Sequence, residues 1–257
     1  ARGGGASEPR LGVLTGGGVC PGLNAGLGGI ARAGEKRKFE VIGFLDGFEG
    51  LLPPGAFMFL DRRSTSGIMP RGGTMIGTTN RGHFVAKVGA GEKAVIAAEV
   101  IEGARSVLER ERVEALIIIG GDGSMTTALQ LQEAGINCIG VPKTIDNDLA
   151  ATAMTFGFDS AVASVTDALD RLHTTATSHK RVMVLEVMGR HAGWSELNGG
   201  LAGGGHIILS PEIPFKNEKI MERTETRERQ RSSHTARDGA AERTPAAGHH
   251  AKHDPRD

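Results

Sequence analysis

The stretch GGDGSMTTALQL (120–131) follows directly from the apolar run EALIIIG (114–120). A buried strand that ends in glycines and becomes a helix is typical of a phosphate-binding turn, because the helix N-terminus directs backbone N–H groups at an anion. Asp122, between the glycines, suits Mg²⁺, which takes carboxylate and phosphate oxygens together. Gly123 keeps the turn clear of side chains, and Ser124 is predicted to cap the helix. The alternative is a tight turn with capping side chains and no ligand.

Other short apolar runs alternate with helical patterns along the chain. Five of them predict buried strands: RLGVLT (10–15), FEVIGFL (39–45), INCIGV (136–141), RVMVLEV (181–187) and HIILS (206–210). Their continuous apolar character is typical of a parallel sheet covered on both faces. Residues 94–112 and 158–176 have the period of amphipathic helices. This alternation predicts an α/β fold with doubly wound, mostly parallel sheets, whose ligands bind at the carboxyl ends of the strands.

The composition excludes several classes of function. Lys and Arg together number 30, as do Asp and Glu, so no net charge attracts the chain to nucleic acid or to a membrane surface. No apolar run approaches the roughly 18 residues needed to span a bilayer. The two cysteines, Cys20 and Cys138, match no metal or redox spacing and are expected to be reduced thiols. We therefore expect a cytoplasmic protein that binds neither nucleic acid nor membrane.

The chain changes character after Met221. Residues 222–257 contain no Val, Ile, Leu, Met, Phe, Trp, Tyr or Cys. Such a segment cannot bury enough apolar surface to offset the entropy lost when it is ordered. We therefore expect residues 222–257 to form a disordered polar tail.

Three further motifs follow predicted strands. TGGGVCPGLNAG (15–26) is a second glycine-rich turn between a strand and a helix, and such turns either bind phosphate or serve packing alone. PKTIDNDL (142–149) places two aspartates two residues apart, which is costly if both are buried without a cation. MGRHAGW (188–194) places Arg190 after a strand, and arginine suits phosphate recognition. Its Trp194 is expected to pack in the core.

The acidic motif is the strongest candidate for chemistry. A carboxylate from Asp146 or Asp148 could accept a hydroxyl proton, as phosphoryl transfer to an alcohol requires. Lys143 and Thr144 beside them indicate a place where an anionic substrate, a base and a phosphate meet. An exposed acidic turn is the alternative.

Taken together, these motifs resemble those of the 6-phosphofructokinase family. The segments that match its successive signatures are TGGGVCPGLNAG, RGGTMIGTTNRG, GGDGSMTTAL, PKTIDNDL, MGRHAGW and SPEIPF. NAD kinases and lipid kinases share GGDG alone, whereas TIDND and MGR distinguish this family. The resemblance extends over roughly residues 9–216. It implies two Rossmann-like domains, with the phosphoryl donor bound by residues 9–145 and the sugar phosphate by residues 146–216.

The same resemblance implies the reaction and the partners. A phosphoryl group passes to the 1-hydroxyl of fructose 6-phosphate and gives fructose 1,6-bisphosphate, a step of glycolysis. Mg²⁺ is the cofactor, and either ATP or pyrophosphate is the donor. Arg181 matches an arginine that reaches the neighbouring subunit's sugar site, which implies a homodimer or a homotetramer.

The site residues are carried over one position at a time. Asp146 resembles the family's catalytic base, Thr144 the residue that stabilises the transferred group, and Lys143 lies beside them. Asp122, helped by Asp148, resembles the Mg²⁺ site. The donor phosphates are expected at Gly17, Gly18, Arg81, Gly121, Gly123 and Ser124. The sugar phosphate is expected at Asp148, Arg181, Met188, Gly189, Arg190 and Glu212.

The choice of donor depends on Gly123 and Lys143. In family members that use pyrophosphate, an aspartate replaces this glycine, and its carboxylate occupies the space of the nucleotide α-phosphate. Gly123 leaves that space open, which favours ATP. Lys143 favours pyrophosphate, since a lysine before TIDND is usual in pyrophosphate users, although it also occurs in ATP users that carry the glycine. A family arginine that contacts ATP aligns with Asn80, next to Arg81, so that contact stays open.

Two departures from the family pattern favour an inactive relative. Val19 stands where the family has an aspartate, so a carboxylate is missing beside the transferred phosphate. Family chains also continue beyond PEIPF (211–215) with a sugar-phosphate segment of the H-x-Q-R-G-G type, which the polar tail lacks. We therefore expect the second domain to be incomplete, through truncation or a frameshift near residues 217–222.

Overall fold

The computed structural model describes residues 9–79, 81–84, 95–150, 152–179, 181–189, 191–230 and 237–241. The strands are β1 (Arg10–Thr15), β2 (Glu40–Phe44), β3 (Phe57–Phe59), β4 (Val113–Gly120), β5 (Cys138–Thr144), β6 (Phe156–Gly157), β7 (Val182–Leu185), β8 (Ile207–Leu209) and β9 (Arg237–Ala241). The helices are α1 (Leu23–Lys36), α2 (Ala98–Arg110), α3 (Asp122–Glu133), α4 (Phe158–His179), α5 (Trp194–Ala202) and α6 (Asn217–Gln230), with a 3₁₀ helix at Gly47–Leu51.

Six strands form one sheet in the order β3-β2-β1-β4-β5-β6. Every neighbouring pair is parallel except β2 and β3. The central pair, β1 and β4, runs from Arg10 opposite Val113 to Thr15 opposite Ile119. The chain winds from β1 to β2 on one side and from β4 to β5 on the other, which confirms the predicted doubly wound α/β class. The point where the order reverses, between β1 and β4, is where such sheets open a ligand crevice.

The large sheet has an apolar core that explains the uninterrupted apolar runs of its strands. Side chains from β1, β2, β4, α2 and α3 form its main buried cluster, which includes Leu14, Phe44, Val107, Leu116 and Leu131. Phe48 and Phe84 stack within this cluster, with their ring centroids 5.5 Å apart. Strands β1, β2 and β4 are mostly buried, which explains why their sequences show little polar alternation. The prediction of buried strands is wrong for β5, β7 and β8, whose residues are mostly half-buried or exposed.

The chain divides into two compact units. The first comprises Ala1–Thr144 and Leu149–Gly157, and the second comprises Ile145–Asp148 and Phe158–Asp257. The first unit includes β6, because Lys143 and Thr144 of β5 pair with Phe156 and Gly157. Residues 149–157 thus belong with the large sheet, although the sequence assigns them to the second domain.

The second unit contains a three-stranded parallel sheet in the order β7-β9-β8. Helices α4 and α5 pack closely in this unit, since a Cβ on Gly199 would lie 2.4 Å from Cγ1 of Val165. The helical pattern predicted over 158–176 is realised as α4. No described helix combines the length and apolar character needed to cross a bilayer.

The structure differs in part from the predicted disordered tail. Residues 222–230 continue α6, and residues 237–241 form β9 in the small sheet. Glu, Arg, Lys and Gln favour helix even where few apolar side chains are present, so composition alone does not exclude a helix there. The rest of the predicted tail, 231–236 and 242–257, lies outside the described residues.

Candidate functional site

The two predicted glycine turns meet at the switch point of the first unit. The Gly16 N–H donates to the Ile119 carbonyl at 2.9 Å, at the carboxyl ends of β1 and β4. Ser124 packs between the turns, because a Cβ on Gly16 would lie 2.4 Å from its Oγ and one on Gly120 would lie 2.2 Å from its Cβ. Only glycine at these two positions lets the turns approach this closely.

Ser124 does not cap helix α3, so that part of the prediction is wrong. The helix begins at Asp122, its N-cap is Gly121, and no side chain donates or accepts a capping hydrogen bond. Ser124 is already inside the helix and is buried. The capping pattern fails because the backbone turns helical two residues earlier than the serine. Asp122 is exposed at the first helical position, and Gly123 follows it, half-buried.

Gly17 and Gly18 differ in what their backbones contact. Gly17 adopts a left-handed φ of 76°. Its N–H donates to the Thr79 carbonyl at 3.3 Å, and its carbonyl accepts from Thr78 Oγ1 at 2.8 Å. Gly18 is exposed, with no heavy atom within 4 Å of the place where a Cβ would be. The open backbone for an approaching ligand is therefore at Gly18 and the exposed Val19.

Lys143 supports the first glycine turn from the end of β5. Its side chain is buried, at 4% exposure, and its ammonium group donates to the Gly18 carbonyl. Burial raises the pKa of the nearby Cys20 thiol, and the Lys143 charge opposes that rise. Cys20 and Cys138 are both free thiols, and burial raises the pKa of Cys138 to about 11. The ammonium group thus contacts the protein backbone at the predicted donor turn.

Residues 71–79, which we name the strap, were not assigned to the site from sequence. The strap has no helix or strand and lies along the first glycine turn. Thr15 Oγ1 donates to the Gly77 carbonyl at 2.7 Å and accepts from Thr74 Oγ1 at 3.0 Å. The exposed Arg81 lies just beyond, with its N–H donating to Thr79 Oγ1 at 3.1 Å. The signal available in the sequence was RGGTMIGTTNRG (71–82), which matches a family signature although no site residue was taken from its first nine positions.

The acidic motif begins where β5 ends. Thr144, the last residue of β5, accepts at its carbonyl from Thr155 Oγ1 at 2.8 Å, within the first unit. In the second unit, Asn147 takes a left-handed φ of 52°, which makes a sharp turn between Asp146 and Asp148. Asp146 is half-buried and Asp148 is exposed. The turn therefore gives the two carboxylates different surroundings, despite their spacing of two residues.

The second unit brings three predicted motifs together. Ser195 Oγ, which is buried, donates to the Ile145 carbonyl at 3.0 Å and so joins the helix after MGRHAGW to the acidic turn. The Gly193 N–H donates to Glu212 Oε1 at 2.7 Å and joins MGRHAGW to SPEIPF. This hydrogen bond lowers the pKa of the Glu212 carboxyl, with a smaller contribution from Ser210. Sequence reasoning missed Ser195, a common residue type with no distinguishing spacing.

The remaining predicted sugar-phosphate residues are less closely grouped. Met188 is 76% exposed, Gly189 is buried, and Arg190 lies outside the described residues. Arg181 is exposed, and its N–H donates to the Ala176 carbonyl at the end of α4 at 3.1 Å. Trp194 is 48% exposed at the start of α5, so the expectation that it packs in the core is wrong. Its place on the first helical turn leaves its ring at the surface.

A Mg²⁺ ion shared with a bound phosphate fits the first unit. Among the described residues, no group of three or more His, Cys, Asp or Glu side chains could hold a metal alone. Mg²⁺ is commonly held by only one or two carboxylates, with waters and substrate phosphates completing the shell. Asp122 is an exposed carboxylate beside an anion-compatible helix N-terminus, which suits that arrangement.

Comparisons with known proteins agree with this geometry. A profile described as Phosphofructokinase matches residues 10–245. The ATP-dependent 6-phosphofructokinase of Chloroflexus aurantiacus is 50% identical over 228 residues, or 89% of this chain. The pyrophosphate–fructose 6-phosphate 1-phosphotransferase of Amycolatopsis methanolica is 48% identical over 219 residues, or 85% of this chain. This chain spans 63% and 61% of those two relatives' lengths.

A solved structure agrees as well. The pyrophosphate-dependent phosphofructokinase from Marinobacter aquaeolei superposes with a TM-score of 0.76 at 26% identity. The match covers 92% of this chain and 60% of that one. With the family profile matched over most of the described residues and relatives near half identity, the chain belongs to the phosphofructokinase family.

Proposed function

We propose that the chain transfers the terminal phosphoryl group of ATP to the 1-hydroxyl of fructose 6-phosphate, giving fructose 1,6-bisphosphate. The observation that carries this proposal is the pair of glycine turns at the switch point, with Asp122 at the start of α3. Identity of 50% to an ATP-dependent 6-phosphofructokinase supports it.

Asp146 is the proposed base that accepts the proton of the sugar hydroxyl. Its half-buried position beside the left-handed Asn147 suits a carboxylate held in one orientation. Thr144 stabilises the transferred group, and Lys143 adds a positive charge behind the donor turn. The sugar phosphate is bound by the residues of the second unit, namely Asp148, Arg181, Met188, Gly189, Arg190 and Glu212.

The donor phosphates are proposed to bind at the first unit's glycine turns. Gly18 offers open backbone, and Gly121 and Gly123 flank Asp122 at the helix N-terminus. The other proposed donor contacts are Gly17, Arg81 and Ser124. Asp122 would hold Mg²⁺ with the donor phosphates, and the bound ion would neutralise their negative charge.

Pyrophosphate is the second candidate donor. A relative named for pyrophosphate is 48% identical, close to the identity of the ATP-dependent one. The buried ammonium group of Lys143 at the glycine turn suits a compact, highly charged donor. Gly123, which leaves room for a nucleotide α-phosphate, favours ATP. We therefore expect faster turnover with ATP than with pyrophosphate.

A coupled assay with fructose 6-phosphate and Mg²⁺, offering each donor separately, tests the proposal. We expect Asp146→Asn to lower kcat by about 10²–10⁴-fold, the range for loss of a positioned base, while ATP still binds. Asp167→Asn is the matched control, because that exposed aspartate pairs with Arg171 on α4. Full activity in Asp146→Asn would contradict the assignment of the base.

An inactive nucleotide-binding relative is the remaining candidate, and the exposed Val19 favours it. In that case the unaltered chain would bind ATP but turn over neither donor, and Val19→Asp would restore turnover if the missing carboxylate is the reason.

For the assembly we propose a homodimer or homotetramer located in the cytoplasm. Light scattering of the purified chain gives the mass, and a monomer would contradict the assembly.

A further inference from the structure

Asn24 is the second residue of helix α1, and its amide side chain is buried at 4% exposure. All three of its side-chain hydrogen bonds go to the backbone of the strap. Its Nδ2 donates to the Arg71 carbonyl at 3.0 Å and to the Gly72 carbonyl at 3.4 Å. Its Oδ1 accepts from the Met75 N–H at 2.8 Å. One buried amide thus satisfies three backbone groups of a segment that has no helix or strand of its own.

The other end of the strap holds Gly17. Thr78 and Thr79 engage both the carbonyl and the N–H of this glycine. Gly17 has a left-handed φ, and Gly18 and Val19, the open part of the turn, follow it directly. The conformation of the exposed turn at Gly18 therefore depends on the end of the strap at Thr78 and Thr79. The other end of the strap is held by Asn24.

We propose that Asn24 is a positioning residue for the donor turn: by tying down the strap, it fixes the backbone that binds the donor phosphates. This inference rests on the proposed function for its kinetic consequence only. The three hydrogen bonds between Asn24 and the strap, which we call the tie, are a property of the folded chain. They can therefore be tested without measuring turnover.

Trypsin provides this test, because Arg71 carries one of the carbonyls that Asn24 binds. In Asn24→Ala, three backbone groups of the strap lose their partner, and we expect cleavage after Arg71 to become about tenfold faster. Cleavage after Arg62 and Arg63 should not change, since Asp61 and Ser64 hold that turn through their own hydrogen bonds. Asn137→Ala is the matched control, because that side chain makes one bond, to the Glu114 carbonyl.

The kinetic test separates positioning from plain stability. We expect Asn24→Ala to raise KM for ATP about tenfold, with KM for fructose 6-phosphate unchanged and kcat within about threefold. Thr78→Val should give the same pattern, and Thr78→Ser, which keeps the hydroxyl, should restore wild-type values. The double variant Asn24→Ala with Thr78→Val should fall short of the product of the two single effects, because both act through the strap.

The outcomes separate the two proposals. If no donor is turned over, the proposed function fails, and the tryptic rates together with the dissociation constant for ATP still test the tie. If Asn24→Ala does not fold, the same tryptic rates and KM values are measured for Asn24→Asp, and for Thr78→Val against Thr78→Ser. Unchanged cleavage after Arg71 in a folded Asn24 variant would overturn the inference. So would equal KM changes for donor and acceptor.

Discussion

Gly16 and Gly120 determine how closely the two phosphate turns approach each other. Both positions face Ser124, and an added Cβ at Gly120 would also lie 3.2 Å from the Gly16 carbonyl oxygen. Backbone cannot move away as a flexible side chain can, so the space is fixed. At the scale of single residues, the glycine pattern correctly predicted two turns between a strand and a helix. The sequence did not reveal that Gly16 and Gly120 are needed because both pack against Ser124. The serine, taken as a helix cap, is the residue that makes both glycines necessary.

Gly120→Ala tests this packing. We expect it to lower the free energy of unfolding by about 1–3 kcal/mol, the usual cost of overpacking, in urea titrations followed by circular dichroism. Gly29→Ala is the control, since Gly29 lies in α1 with no heavy atom within 4 Å of the added Cβ. That change should stabilise by up to about 1 kcal/mol, through helix propensity.

A double variant gives the decisive comparison. Combining Gly120→Ala with Ser124→Gly removes the side chain that the new methyl group would meet. The pair should therefore be less destabilised than the sum of the two single changes. Additive effects would show that Ser124 is not what restricts position 120.

At the scale of elements, helix α5 depends on a partner distant in sequence. Its N-terminal Gly193 N–H donates to the Glu212 carboxylate, 19 residues later. The pKa of Glu212 is lowered from its usual value of 4.5 by this hydrogen bond. A lowered pKa in the folded state means that the stabilisation is complete above about pH 4.5 and is lost as the pH falls further.

Glu212→Gln should remove this acid sensitivity. The fluorescence of Trp194, the only tryptophan, reports on the start of α5. We expect the unaltered chain to lose urea resistance by this probe as the pH falls below about 4.5, and the variant to lose less. Glu218→Gln, an exposed change in the first turn of α6, is the control. The same acid dependence in Glu212→Gln as in the unaltered chain would rule out this anchoring role.

Elements with strong local signals could be predicted, and those that depend on distant partners could not. Strand β1 has the predicted bounds, because a continuous apolar run marks a buried strand wherever it pairs. Strand β5 begins at Cys138, two residues later than predicted, since pairing with Leu116 of β4 sets its start. Strands β3 and β6 were not predicted, because three and two residues carry no period of their own.

At the scale of the whole molecule, the two units differ in how much apolar surface they bury. Of the described residues, the second unit contributes five of the buried apolar side chains, Phe158, Leu169, Ala176, Val187 and Ala192. It also exposes large apolar side chains that include Val184 at 69%, Leu201 at 67% and Ile213 at 69%. Since burial of apolar surface is the main source of folding free energy, we expect the second unit to be the less stable one.

Native-state hydrogen exchange tests this difference. Amides of β1 and β4 should exchange most slowly, near the rate of global unfolding, and amides of β7 and β8 should exchange at least about tenfold faster. Trp194 fluorescence should change at a lower urea concentration than circular dichroism, because the tryptophan belongs to the second unit. Coincident transitions and equal protection would mean that the chain unfolds as one cooperative body.

The chain leaves the large sheet after Thr144 and returns to it at Phe156, which pairs with Lys143. The Phe156 ring then lies against Gly22, where an added Cβ would be 3.0 Å from it. During synthesis, the large sheet therefore lacks its last strand until residue 157 has emerged. The acidic turn emerges before that strand, as a loop whose two ends belong to the same sheet. A gene fragment that stops at residue 145 would encode a sheet without its last strand. A fragment that ends at residue 157 keeps all six strands of the large sheet.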